Sequence, residues 1–137
     1  MTGPTRTAGL LAVMVGLATL QVPAPASADG ITMMITPQGE HADIIQQGLQ
    51  IYSIVSQFKK RNHAKVRQKG DGNAAAMSQK GIDNYGLVVQ RGRDHTATIA
   101  QQGANNALGV LQFGRNTNID LAQTGQGNVG LVLQGGW

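Results

Sequence analysis

The sequence predicts an all-β protein, a β-solenoid of stacked strand-turn-strand coils. Each coil takes 22 residues, each half-repeat 11, and the strands form two parallel, in-register sheets. Three observations predict this. Glutamine recurs every 11 residues without insertion, at Gln46, Gln57, Gln68, Gln79, Gln90, Gln101, Gln112, Gln123 and Gln134. Glycine follows two residues later at Gly48, Gly70, Gly81, Gly92, Gly103, Gly114, Gly125 and Gly136, with Lys59 as the exception. Between them apolar residues are spaced by two, the period of a strand. A fixed short period marks an array of one unit, each burying its apolar face against the next.

Composition agrees with a thin, regular interior. Aromatic residues are 4%, charged residues 13%, and glycines number 19. The absence of cysteine excludes a disulfide framework and thiolate metal sites.

Residues 1–28 read as a signal peptide. Arg6 supplies a basic start, Ala8 to Leu20 an apolar stretch, and Ala26-Ser27-Ala28 a small-x-small cleavage site. The apolar run is shorter than the ~20 residues a spanning helix needs. The chain from Asp29 onward then holds ten basic and seven acidic residues, a net charge of +3.

Residues 29–39 read as a leader or cap. Ile31, Met33 and Ile35 alternate with Thr32, Met34 and Thr36, which predicts a short strand that Pro37 ends.

Residues 40–137 divide into nine 11-residue tiles, with each glutamine at position seven. Position one is mostly asparagine: Asn62, Asn73, Asn84, Asn106 and Asn128. Glu40, Ile51, His95 and Thr117 depart from it. Position three is mostly small and position five always apolar, from Ile44 to Val132. Positions one, three, five and seven share one strand face, directed inward. The strand is expected over positions two to six and the turn over eight to eleven, where Gly, Asp and Asn accept positive φ. An 11-residue helical supercoil is rejected, because glycine in every tile would cost ~1 kcal/mol each time.

Alternate tiles then lie in opposite sheets, and identical side chains stack on themselves. Stacked amides give each buried Gln or Asn a donor on one side and an acceptor on the other. Such a cross-β stack is amyloid-competent.

The pattern Gln-x-Gly-x-x-Asn-x-Ala-x-x-x-Gln, seen at Gln68-Lys69-Gly70-Asp71-Gly72-Asn73-Ala74-Ala75-Ala76-Met77-Ser78-Gln79, resembles the curlin repeat. It recurs from Gln101 to Asn106 and from Gln123 to Gln134, and at Gln90 to His95 with histidine for asparagine. The resemblance implies a secreted structural subunit of curli-like amyloid fibres at the bacterial cell surface, a pilus- or fimbrium-like material for cell adhesion and biofilm matrix. It implies self-polymerisation, a second curlin-like subunit, and outer-membrane secretion machinery as partners. A minor or nucleator subunit, and a monomeric β-solenoid surface-binding module, are the alternatives.

Outward positions two, four and six change along the stack. Tyr85, Leu87, Val89, Leu111, Val129, Leu131 and Leu133 read as an apolar face, serving either self-association or as the surface over which the leader segment folds back. The other sheet reads as milder. Val129 to Gln134 also offers an edge to another chain. Trp137, the single tryptophan, is either a docking anchor or a frayed end. Lys59, Lys60, Arg61, Lys65, Arg67 and Lys69 form a basic run. It serves either as a solvated face or as contact with an anionic surface or polysaccharide, with no specific nucleic acid indicated. His41 and His63 should stack on the outer face, without a third metal ligand placed by the pattern. No nucleophile triad, phosphate loop, cofactor motif or carboxylate pair emerges, and the expected role is not enzymatic.

Overall fold

The computed structural model describes residues 12–15, 30–35 and 41–137. The cleavage site at Ala26-Ser27-Ala28, with Pro37 and Glu40, lies outside them. Eleven strands follow in order: β1 (Ala12–Val15), β2 (Gly30–Ile35), β3 (His41–Gln47), β4 (Ile51–Lys60), β5 (His63–Asp71), β6 (Ala74–Ile82), β7 (Tyr85–Arg93), β8 (Thr96–Ala104), β9 (Ala107–Arg115), β10 (Asn118–Gln126) and β11 (Val129–Gly136).

They form the two expected sheets, ordered β1-β2-β4-β6-β8-β10 and β3-β5-β7-β9-β11. Every pairing is parallel, and from β3 onward every residue faces its equivalent 22 residues on, as Gln68 faces Gln90 and Gly70 faces Gly92. β2 departs by one residue, since Gly30 faces Ile51.

The strands are longer and the turns tighter than the sequence suggests. β7 runs from position two to position ten, so only Asp94 and His95 turn the chain. From Gly70 to Gly125 glycine at position nine lies inside the strand, with φ from 90° at Gly114 to 129° at Gly81 and Gly92. That mirror-image extended conformation bends the chain while the ladder continues. An added Cβ at Gly70 would lie 1.9 Å from the Gly92 carbonyl oxygen, so coils meet backbone to backbone there. The turn proper is position eleven, left-handed in every coil from Gln50 (φ 53°) to Gly127 (φ 68°), where Asp, Asn and Gly predominate. Even these residues bond to the preceding coil, as Asp94 N–H does to the Asp71 carbonyl at 3.0 Å.

The core lies between the sheets. Position five supplies Ile44, Val55, Val66, Met77, Val88, Ile99 and Val110, all buried. Small residues at position three make room for them. Gly86 faces Met77, whose sulfur would sit 2.4 Å from an added Cβ. Thus a larger apolar residue in one sheet is matched by a smaller one in the other.

Candidate assembly site: amide columns and open edges

Four amide columns run along the stack. In one sheet Gln46, Gln68, Gln90, Gln112 and Gln134 are linked Nε2 to Oε1 at 3.0, 2.8, 2.8 and 3.4 Å. In the other, Gln57, Gln79, Gln101 and Gln123 are linked at 2.8, 2.8 and 3.1 Å. Each inner glutamine also donates across the core, as Gln90 does to the Ala74 carbonyl at 2.9 Å. One side chain therefore joins neighbouring coils and opposite sheets.

The asparagines hold the corners. Asn84, Asn106 and Asn128 each donate Nδ2–H to Oδ1 of the asparagine one coil earlier, all at 3.1 Å. They also reach the position-nine carbonyls, as Asn62 does to Gly81 at 2.9 Å and Asn84 to Gly103 at 3.1 Å. The fourth column is irregular: Ile51, Asn73, His95 and Thr117, all buried. His95 replaces the amide function with its two ring nitrogens. Nε2 donates to the Arg91 carbonyl at 3.1 Å, and Nδ1 lies 2.6 Å from Thr117 Oγ1. Its place in the inward column was the available signal for this role.

The first coil is the least regular. Lys59 holds the position-nine backbone at φ 86°, without glycine's freedom. Gln57 Oε1 is buried with no hydrogen-bond partner among the described residues.

The basic run divides between sheets. Lys59 and Lys60 end β4 in one, while Lys65, Arg67 and Lys69 lie on β5 in the other. Arg61, in the turn between them, pairs with Asp83 at 2.8 Å, and Lys65 lies 3.6 Å from Asp43. The register adds residues the linear run omits. Arg91 faces Lys69, and Arg115 faces Arg93. Their common tile positions, 22 residues apart, carry that signal.

The apolar face is graded. Leu87, Val89 and Leu111 are half-buried by strand neighbours, and Tyr85 is exposed. Val129, Leu131 and Leu133 on the outermost strand are 70–83% exposed. Leu131 lies over Gly109, where an added Cβ would meet its Cδ1 at 2.8 Å. The opposite sheet is less mild than expected, because Tyr52, Ile54 and Phe58 are exposed on β4. Trp137 is fully exposed. His41 and His63 stack at 5.2 Å with planes 16° apart. Among the described residues no group of three or more metal-ligating side chains forms.

These features define a repeat protein of one class: a two-sheet parallel β-solenoid whose interior is held by hydrogen-bonded amide columns. Comparison with known families matches residues 81–114 to the curlin associated repeat. Residues 81–114 therefore carry the curlin associated repeat, and the resemblance seen in the sequence is borne out there. The matched stretch contains β7, β8 and nearly all of β9, and its register continues unchanged into β3 and β11. No curated protein and no solved structure matches the chain.

Proposed function

We propose that the protein is a secreted structural subunit that stacks end to end into a curli-type cross-β fibre at the bacterial cell surface, serving adhesion and biofilm matrix. One observation carries this reading. The 22-residue register repeats along both sheets, and among the described residues the outermost strands β10 and β11 each keep one unpaired edge. Such an edge presents unpaired backbone donors and acceptors to another chain. A copy whose β3 adds to β11 sets its Gln46 and Gly48 against Gln134 and Gly136, which continues the glutamine and glycine columns of that sheet.

Incubation of the secreted chain should raise thioflavin fluorescence and give a reflection at about 4.7–4.8 Å. A chain that stays monomeric at high concentration refutes the fibre reading and supports a monomeric binding module. A nucleator role draws support from the strained Lys59 and the irregular first coil. Substoichiometric seeding of another curlin-repeat subunit distinguishes a nucleator from the bulk subunit. Lys69, Arg91, Arg93 and Arg115 are exposed and would meet an anionic polysaccharide or lipid surface.

A further inference from the structure

The repeats alone leave the two sheets uneven. β3, β5, β7, β9 and β11 make five strands in one sheet, while β4, β6, β8 and β10 make four in the other. Suppose a second copy continues the first sheet, its β3 in register on β11. Its β4 then lies two strand spacings beyond β10, ~9.6 Å, while pairing needs one spacing of ~4.8 Å. The two edges cannot meet directly, and one further strand must stand between them.

β2 occupies that place. It pairs with β4 on the edge away from β6. It is not another repeat: its register is shifted by one residue, and the amide column of that sheet stops at Gln57, whose Oε1 is buried without a partner among the described residues. We propose that β2 is the junction strand of the stack, inserted between β4 of its own chain and β10 of a second copy. This rests on the fibre reading above. The tenth strand evens the sheets, and every copy contributes five to each. In the sheet that holds β2, the glutamine column is interrupted once per copy. β1 pairs with the edge of β2 that β10 of the second copy needs. Joining therefore requires residues 12–15 to leave, and a cut after Ala28 removes them while sparing β2.

Cross-linking tests this, since the chain has no cysteine of its own. Met33 faces Ile54, whose column runs through Ala76 and Thr98 to Asp120 on β10. Within one chain β2 and β10 stand four spacings apart, ~19 Å. A disulfide needs Cα atoms within ~7 Å. In oxidised fibres the Met33→Cys/Asp120→Cys variant should give a ladder of covalent oligomers. Ile31→Cys/Asn118→Cys should do the same, which guards against one pair perturbing the fold. An Ile54→Cys/Asp120→Cys variant should give none. A ladder from that last pair instead overturns the proposal, because β10 then sits directly on β4. Fibres that yield a ladder from Asp43→Cys/Leu131→Cys in the other sheet, but none from either β2 pair, overturn it while sparing the fibre reading. A wild-type chain that forms no fibre overturns both.

Discussion

Replacing single glutamines with leucine should destabilise the monomer unevenly along the stack. Gln90 accepts from Gln68 at 2.8 Å and donates to Gln112 at 2.8 Å and to the Ala74 carbonyl at 2.9 Å. Two buried bonds and one part-buried bond at ~1 kcal/mol each are lost, and Gln112 Oε1 is left unpaired for a further ~1–3 kcal/mol. Burying leucine returns ~1.5–2 kcal/mol. Gln90→Leu should therefore lose about 2–4 kcal/mol. Gln57→Leu differs. It breaks bonds to Gln79 at 2.8 Å and to the His41 carbonyl at 3.1 Å, and orphans Gln79 Oε1. It also removes the Gln57 Oε1 that already lacks a partner. The orphans cancel, and the leucine offsets most of the remainder, leaving a loss of about 1 kcal/mol or less. Gln134→Leu gives up one part-buried bond at 3.4 Å. Its loss should be below about 0.5 kcal/mol. Urea midpoints at an unchanged m-value, measured below the concentration at which copies associate, give the ranking. Equal losses at all three positions would refute the claim that stability resides in the continuous interior of the columns.

Four further outcomes follow from the same geometry. Gly92→Ala places a Cβ 1.9 Å from the Gly114 carbonyl oxygen at φ 129° and should lose at least about 3 kcal/mol, whereas Gly127→Ala meets nothing within 4 Å and should lose about 1 kcal/mol. Lys59→Gly relieves the φ of 86° and should gain about 1 kcal/mol in urea unfolding. His95→Asn restores the column's amide and should change the urea midpoint little, but His95→Leu strands the Thr117 hydroxyl and should lose about 2 kcal/mol. Changing Leu87, Leu131 and Leu133 together to serine should leave fibre elongation intact and thin the bundles seen by electron microscopy; unchanged bundle widths would remove this face from lateral association.

The repeat made most of the fold legible, because a two-residue alternation inside an 11-residue period admits few closed shapes. The inward face, the assignment of tiles to sheets and the register all follow from it. Turn length did not. Glycine and asparagine signal positive φ, but they do not reveal that Gly92 stays inside the ladder while Asp94 makes the turn. Backbone contact with Gly114 settles that, and such contact has no trace in residue type alone. The one-residue shift of β2 was equally hidden, since its alternation fits either register. Arg91, Arg93 and Arg115 are far from the basic run in sequence and close to it only after stacking. The milder reading of this sheet does not reveal that Tyr52 and Ile54 stand exposed, because their neighbours on β6, Ala74 and Ala76, are too small to cover them.

The amide columns also have direction. Every glutamine link donates from the earlier coil to the later one, as Gln68 does to Gln90. The asparagine links run oppositely, as Asn106 donates back to Asn84. The β10–β11 side of the stack therefore presents glutamine side-chain amide hydrogens and the Asn128 side-chain Oδ1. Two such sides brought together would set donors against donors at every glutamine. They would also reverse the strand direction, which is parallel throughout. Addition of the β3 side to the β11 side keeps the strands parallel and lets Gln134 donate to Gln46 of the next copy in the existing sense, while the asparagine column pauses at the junction, where the sequence has Glu40. A fibre built by this chain is polar for that reason. Its two ends present different chemistry to an incoming copy, and growth at the two ends should proceed at different rates, which single-fibre imaging with two-colour labelling measures directly. Equal rates at both ends would mean that the columns do not direct addition.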